Sequence, residues 1–121
     1  MENNGYIKFF RKTFDNPVIC KDADHLATWL YLLANATYKD YDVIFDNKRI
    51  TLKAGQLITG RKKIAEKLRI DENKVQRILK LFENEQQIEQ QTSRRNRLIS
   101  IVNWNKYQES EQQNEQQVNN R

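Results

Sequence analysis

A set of polar side chains at helical spacing has the chemistry needed to hydrogen-bond with the edges of nucleic-acid bases. The set comprises Asn73, Gln76, Arg77 and Lys80, with Lys74 at its flank. Arginine can donate two hydrogen bonds to guanine, asparagine and glutamine can pair with adenine, and lysine reaches guanine or phosphate. The same residue types also cover the solvent side of ordinary surface helices. The helix alone therefore does not decide between a surface that reads a major groove and a solvated face.

Arginines cluster a few residues further on, in a segment that predicts a β-hairpin. A short alternating stretch at 87–91 and a β-branched stretch at 97–102 flank a polar turn. Turns favour Asn, Asp, Gly and Ser, so a run of arginines at this tip needs a reason. Guanidinium groups form paired hydrogen bonds with phosphates and fit narrow grooves, so we expect these side chains to contact an anion. They are Arg94, Arg95 and Arg97.

Two short helices are predicted directly before this hairpin, between about 61 and 85, and they outline a helix-turn-helix. Asp71 can cap the second helix, and Thr59 is a candidate cap for the first. The apolar face of the second helix consists of Val75, Ile78, Leu79 and Phe82. The first turn of the first helix carries cations that oppose the helix dipole and that a bound phosphate would offset. These cations are Arg61, Lys62 and Lys63.

The net charge of the chain lies in the same region. Among 121 residues there are 21 Lys and Arg against 16 Asp and Glu, a formal net charge of +5. Residues 61–102 hold eleven basic and six acidic side chains, so this third alone carries +5. Positive charge concentrated in this way favours a polyanionic partner, and nucleic acid is the first candidate.

The first half of the chain predicts a core helix and a second hairpin. Apolar residues at helical spacing predict a helix from about 22 to 36, capped by Asp22 or Asp24. Extended stretches on both sides of an Asp-Asn pair predict a hairpin near 43–52. An aromatic-rich strip at 5–20 is expected to start extended, to turn helical before Asn16 and to pack its aromatic rings onto the domain.

Aromatic side chains allow two interpretations. Exposed rings can stack on the bases of single-stranded DNA, but an aromatic residue among leucines at helical spacing is more often part of the core. We therefore expect Trp29 in the core. For Trp104, packing against the aromatic strip is the plain interpretation, and a dimer interface formed by the same surface is the alternative.

Enzymatic chemistry finds little support. His25 and Cys20 stand in no nucleophile motif, and three glycines supply no phosphate-binding loop, so we expect no enzyme and no cofactor. One cysteine and one histidine cannot form a structural zinc site, and a free cysteine fits a reducing cytosol. The acidic group that invites a metal interpretation lacks the glycine and closing glutamate of a calcium loop, so we interpret it as turn residues. It consists of Asp40, Asp42 and Asp46.

Membrane insertion and export are not expected. No apolar run approaches the length of about 20 residues that spans a bilayer, and the N-terminus lacks the long apolar stretch of a signal peptide. The sequence therefore predicts a soluble, cytoplasmic protein without membrane contact.

The combined pattern predicts an α+β, mostly helical fold over residues 1–107. Its outline is a winged helix-turn-helix with an additional N-terminal helix and a short β-hairpin. Residues 108–121 are nearly all Gln, Glu and Asn, which cannot bury enough apolar surface to offset the entropy of ordering. We expect this segment to be a disordered tail or the start of a linker.

Four phrases in a fixed order carry a resemblance to a known family. They are GYIKFFRKTFDNP, ATWLYLLANATYKD, GQLITGRKKIAEKL and VQRILKLFENEQQIEQQTSRRNRLISIVNW. Over residues 5 to about 107 the chain resembles the N-terminal winged-helix domain of phage replisome-organiser and DnaD-like replication initiation proteins. The resemblance implies DNA binding near a replication origin, self-association, and recruitment of a helicase or its loader. Such proteins commonly continue into a helical C-terminal domain, so the chain is expected to be either a truncated piece or a short stand-alone member.

Three functions remain open at this stage. The first is a module of a replication initiator that binds duplex DNA, with the polar helix face in the major groove and the arginine tip on the backbone or minor groove. The second is a protein-interaction module that self-assembles or binds a helicase loader. The third is a transcriptional repressor of the same fold.

Overall fold

Helices and antiparallel strands make up most of residues 5–104, the part of the chain that the computed structural model describes. The arrangement is a small α+β fold. A short 3-10 helix (Arg11–Asp15) precedes α1 (Ala23–Asn35), β1 (Tyr41–Phe45), β2 (Lys48–Leu52), β3 (Gln56–Thr59), α2 (Arg61–Leu68), α3 (Glu72–Asn84), β4 (Ile88–Thr92) and β5 (Arg97–Ile101). The predicted tail at 108–121 lies outside the described residues.

The predicted core helix is confirmed as α1, and Asp22 is its cap. The Asp22 carboxylate accepts a hydrogen bond of 2.9 Å from the backbone N–H of His25, which satisfies one of the amides left free at a helix start. Trp29 and Leu32 are buried on the inner face of α1. The Trp29 ring meets the Phe82 ring of α3 edge to face, with the centroids 5.8 Å apart. The prediction that Trp29 belongs to the core is therefore confirmed.

The predicted first hairpin is confirmed as β1 and β2. The two strands pair antiparallel through Phe45 opposite Lys48, which leaves a two-residue turn. Asp46 and Asn47 in that turn have φ of 53° and 63°. These left-handed conformations define the turn type that matches the twist of a hairpin, and Asp and Asn tolerate them better than most residues.

A three-stranded sheet joins β3, in the middle of the chain, to the later strands β4 and β5. Its strand order is β3-β5-β4, and all pairs are antiparallel. The second predicted hairpin is therefore confirmed as β4 and β5, and β5, the central strand of the sheet, also pairs with β3, which leads directly into α2. This pairing holds the β4–β5 turn close to the start of α2.

The two helices of the basic region are confirmed, with one correction at their start. Asp71 caps α3 by accepting from the backbone N–H of Lys74 at 3.1 Å. The expected cap of α2, Thr59, is wrong, because Gly60 occupies that position and supplies no side-chain hydrogen bond. Thr59 instead ends β3 opposite Arg97 and is buried, and its hydroxyl lies 3.0 Å from the hydroxyl of Tyr31. Strand pairing thus draws Thr59 out of the helix.

The apolar face of α3 forms the centre of the core, as its spacing predicted. Val75, Ile78, Leu79 and Phe82 are each at most 1% exposed. They pack together with buried side chains of α1, α2 and the three-stranded sheet. Burial of the face opposite to Asn73, Arg77 and Lys80 leaves the polar face of α3 turned outward.

The expected packing of the N-terminal aromatic strip is wrong for two of its rings. Tyr6 is 91% and Phe14 is 64% exposed. Phe14 lies beside Phe9, with ring centroids 5.3 Å apart. The segment is held through its other side, because Thr13 and Ile19 are buried. With Thr13 and Ile19 turned toward the interior, the rings of Tyr6 and Phe14 face solvent.

Trp104 is buried against a glycine. An added Cβ on Gly55 would lie 2.6 Å from both Cβ and Cγ of Trp104. The indole therefore covers the turn that leads into β3, a contact that the sequence interpretation did not include. The dimer interface considered for Trp104 stays a prediction.

A charged cluster joins α1 to α3. The Asp22 carboxylate lies 2.6 Å from Nδ1 of His25 and 3.1 Å from Nζ of Lys74, which also lies 2.7 Å from Asp24. Hydrogen bonds from the His25 side chain and backbone, with a smaller contribution from Lys74, hold the pKa of Asp22 far below its usual value of 3.8. These hydrogen bonds stabilise the ionised carboxylate in the folded state.

We expect Asp22→Asn to reduce the acid sensitivity of folding. A folded-state pKa below the unfolded one stabilises the fold above the unfolded pKa, and this stabilisation disappears as the pH falls below 3.8. Urea unfolding at a series of pH values from 7 downward should show a smaller loss of the free energy of unfolding in Asp22→Asn than in wild type. Asp15→Asn at the exposed 3-10 helix is the matched control. Equal pH profiles for Asp22→Asn and wild type would contradict the prediction.

Candidate nucleic-acid interface

An open cleft of about 670 Å³ lies between the start of α2, the start of α3 and the β4–β5 turn. Six cations and two carboxylates line it, so these residues carry a net charge of +4. The cations are Arg61, Lys62, Lys63, Arg94, Arg95 and Arg97, and the carboxylates are Glu66 and Glu72. The structure thus brings together two clusters of cations that lie about 30 residues apart in the sequence.

The start of α2 combines its cations with free backbone donors. The first intrahelical hydrogen bond runs from the N–H of Ile64 to the carbonyl of Gly60, so the preceding N–H groups of this helix have no intrahelical acceptor. Arg61, Lys62 and Lys63 occupy the same turn and are exposed. An anion bound here would be favoured by the cations and by the helix dipole together.

The β4–β5 turn presents two arginines at its tip. Hydrogen bonds between Ser93 and Asn96, including N–H of Ser93 to the Asn96 carbonyl at 2.8 Å, close the turn. Arg94 and Arg95 lie between these closing residues and are exposed. The carbonyl oxygen of Arg95 lies near Gly60, at 3.6 Å from the position that an added Cβ would take there, which is an ordinary van der Waals distance. The turn is therefore held beside the start of α2, with its guanidinium groups accessible.

Arg97 has a different environment from the two tip arginines. Its guanidinium donates to Oε1 of Gln90 at 2.8 Å and to Oε1 of Gln76 at 2.9 Å. Burial lowers the pKa of Arg97, and the neighbouring charge of Arg61 lowers it further. The side chain thus ties β4 and β5 to α3, although the sequence interpretation assigned it to the anion contact.

Gln76 is the residue of α3 that accepts the hydrogen bond from Arg97. Its carbonyl oxygen accepts from Arg97, which leaves its NH₂ group to donate elsewhere. Paired hydrogen bonding to adenine requires both the acceptor and the donor of a glutamine side chain. Arg97 therefore occupies one of the two lone pairs of the Gln76 carbonyl oxygen, and a base that pairs with Gln76 would have to share this oxygen with Arg97.

The remaining predicted residues of α3 are divided between two surfaces. Asn73, Arg77 and Lys80 are exposed, and Lys80 lies 3.7 Å from Glu83. Lys74 turns toward α1, where the carboxylates of Asp24 and Asp22 raise its pKa. Three of the five predicted α3 side chains thus share an accessible face next to the cleft.

The sequence interpretation missed the two carboxylates of the cleft. Glu72 lies in the first turn of α3, where its charge suits the helix dipole, and it forms an ion pair of 3.1 Å with Nε of Arg61. Glu66 lines the same cleft from α2. Acidic residues at a helix start are a recognisable sequence signal, but their position opposite Arg61 depends on how α2 packs against α3.

Among residues 5–104, no group of three or more His, Cys, Asp or Glu side chains is arranged to hold a metal ion. No described helix combines the length and apolar character needed to cross a membrane.

Comparison of the chain with models of protein families, with curated proteins and with solved structures gave no match.

We expect Arg97→Ala to destabilise the fold by about 1–2 kcal/mol, because it removes two charge-assisted hydrogen bonds that are half shielded from water. Urea unfolding followed by circular dichroism measures this change. Arg95→Ala removes the same charge from the exposed tip and should alter the free energy of unfolding by about 0.5 kcal/mol or less. Equal stabilities of the two variants would show that Arg97 does not hold the β4–β5 hairpin to α3.

Proposed function

We propose that this chain is a winged helix-turn-helix module that binds duplex DNA. Two features of the architecture support the proposal. The helices α2 and α3 are separated by three residues, and the β4–β5 hairpin follows α3 directly. In such modules the second helix enters the major groove, and the hairpin contacts the flanking backbone or minor groove.

The observation that carries the proposal is the convergence of positive charge beside an accessible helix face. The cleft residues have a net charge of +4, and Asn73, Arg77 and Lys80 are exposed on α3. Phosphate contacts supply most of the affinity of proteins for DNA, whereas contacts with base edges supply the sequence preference. The cleft is suited to phosphate contacts, and the outer face of α3 is suited to contacts with base edges.

The resemblance to replisome-organiser and DnaD-like proteins makes replication initiation the proposed process. In this role the module acts in the cytoplasm, binds DNA near an origin and helps to recruit a helicase or its loader. A transcriptional repressor of the same fold would use the same surface, so that the two roles differ in their protein partners and not in the DNA-binding residues.

A second candidate function is self-assembly through the N-terminal strip. The exposed rings of Tyr6 and Phe14 favour it, because large apolar side chains at a surface often mark protein interfaces. Sedimentation over a range of concentrations measures association directly. A monomer at every concentration would count against this candidate.

Fluorescence anisotropy with a labelled duplex of about two helical turns, measured across a salt series, tests DNA binding. With about six phosphates neutralised, the logarithm of the affinity should fall with the logarithm of the salt concentration at a slope near −5. Arg77→Ala should weaken binding by about five- to 100-fold on a preferred sequence if the side chain contacts a base.

The matched control for these measurements is Lys39→Ala combined with Lys53→Ala. Lys39 precedes β1 and Lys53 follows β2, so both lie at the far end of this hairpin from its turn. The variant removes two positive charges, and neither residue lines the cleft. The control should retain wild-type affinity to within about threefold. Absence of wild-type binding at low salt would refute the proposed function.

A further inference from the structure

The turn of the β1–β2 hairpin lies beside the arginine tip of the β4–β5 hairpin. The two turns share a second cleft of about 340 Å³. Its lining consists of Ile44, Asp46 and Asn47 from one turn region and Ser93, Arg94, Arg95 and Asn96 from the other. Nothing in the sequence pattern indicated that these turns are neighbours, because 45 residues lie between Asn47 and Ser93 and no strand pairing connects the two hairpins.

Beside the turn residues Asp46 and Asn47, the β1–β2 hairpin carries an exposed isoleucine and two exposed cations. Strand alternation buries Phe45 and leaves Ile44 71% exposed, opposite Arg49 on the neighbouring strand. Lys48 and Arg49 directly follow the turn and are exposed. Together with Arg94 and Arg95, they place four cations around the two turns.

We propose that the β1–β2 hairpin is a second arm of the DNA interface. Lys48 and Arg49 contact phosphates beyond those reached by the β4–β5 turn, and Ile44 packs against sugars and base edges in the minor groove. This inference rests on the proposed function, because the duplex that contacts the β4–β5 turn is the same duplex that reaches the β1–β2 turn.

Charge and shape favour DNA as the occupant of this surface. Cations that border the shared cleft complement a polyanion, whereas a protein partner for an exposed isoleucine would more often require an apolar surround. Aliphatic side chains inserted into the minor groove are a recurrent device of proteins that hold DNA there. The left-handed turn keeps the tip of the hairpin narrow.

The negative charge of Asp46 repels a polyanion, so its removal should raise the affinity for DNA. Asp46 is the one carboxylate among the described residues that line this cleft. Its φ of 53° explains why an Asp stands there, and Asn adopts the same conformation readily. Asp46→Asn therefore removes the repulsion and keeps the turn. A gain in DNA affinity in this variant could not result from misfolding.

Anisotropy across the same salt series tests the second arm with three variants. Lys48→Ala combined with Arg49→Ala should reduce the magnitude of the salt slope by about 1.8, since each phosphate contributes about 0.9. Ile44→Ala should weaken binding about three- to 30-fold at every salt concentration without changing the slope. Asp46→Asn should bind about twofold or more tightly at low salt. The Lys39→Ala and Lys53→Ala control lies on the same hairpin and should behave as wild type.

The outcomes separate this inference from the proposed function. Wild-type binding that depends on Arg94 and Arg95 but is unchanged by all three hairpin variants would overturn the second arm alone. No wild-type binding would overturn both proposals. If Ile44→Ala lowers self-association in sedimentation and leaves DNA affinity unchanged, the hairpin surface contacts a second copy of the chain, and the second arm is overturned.

Discussion

Arg94→Ala combined with Arg95→Ala is expected to lower duplex affinity by about 10- to 60-fold near 0.1 M salt and to leave the fold intact. Removal of two phosphate contacts changes the salt slope by about 1.8, from near −5 to near −3. The loss should therefore shrink as the salt concentration rises toward about 1 M, where counterion release no longer favours binding.

The structure explains why these two arginines, and not Arg97, should give a clean result. Both tip side chains are exposed, and the turn is closed by hydrogen bonds between Ser93 and Asn96. Their removal costs no hydrogen bond that joins β-strands to α3. Arg97→Ala would mix a loss of charge with a loss of the link to Gln76.

A charge-preserving variant distinguishes two causes of the loss in affinity, which are the loss of positive charge and the loss of the paired hydrogen bonds of the guanidinium groups. Arg94→Lys combined with Arg95→Lys keeps both charges but cannot form the paired hydrogen bonds of a guanidinium. We expect it to retain the wild-type salt slope. Unchanged affinity and slope in the double alanine variant would contradict the assignment of the turn to DNA.

Gly55→Ala is expected to destabilise the fold by about 2–4 kcal/mol, because it combines backbone strain with overpacking. Gly55 has a φ of 89°, which side-chain-bearing residues rarely adopt. Its added Cβ would lie 2.6 Å from the Trp104 side chain. The backbone cannot easily move away, because its N–H donates to Thr37 and its carbonyl accepts from Ile101.

Thermal and urea unfolding measure this effect, and the midpoint should fall by about 10 °C or more. Gly5→Ala is the matched control, since nothing lies within 4 Å of the Cβ that it would add. Combining Gly55→Ala with Trp104→Ala should cost less than the sum of the two single changes, because the second change removes the clash. Wild-type stability in Gly55→Ala would show that Trp104 does not cover this glycine.

Local sequence signals predicted the individual elements well. The apolar spacing of α3 places Val75, Ile78, Leu79 and Phe82 in the core, and Asp22 and Asp71 cap the helices that follow them. The Asp-Asn pair forms the turn of the first hairpin. Each of these features depends on residues within a few positions of one another, so the pattern needs no knowledge of the rest of the chain.

The candidate site was less predictable because its members come from distant segments. The sequence identified seven of the residues that line the cleft, but it treated Arg97 as equivalent to Arg94 and Arg95. Pairing of β5 with β3 and β4 gives Arg97 its half-buried place beside Gln76. Packing of α3 against α1 likewise turns Lys74 toward Asp24. The chemical type of a side chain does not reveal which partner occupies its hydrogen bonds.

The amino-acid sequence by itself determined where the helices and hairpins form and in which third of the chain the positive charge is concentrated. Periodicity, capping residues and turn residues act over a few positions, and charge can be counted directly. Only the tertiary structure decided which cations are accessible, that the start of α2 lies beside the β4–β5 turn, and that the β1–β2 turn borders the same arginines. These arrangements depend on burial and strand pairing between distant segments, whose free energies belong to pairs of elements and not to single residues.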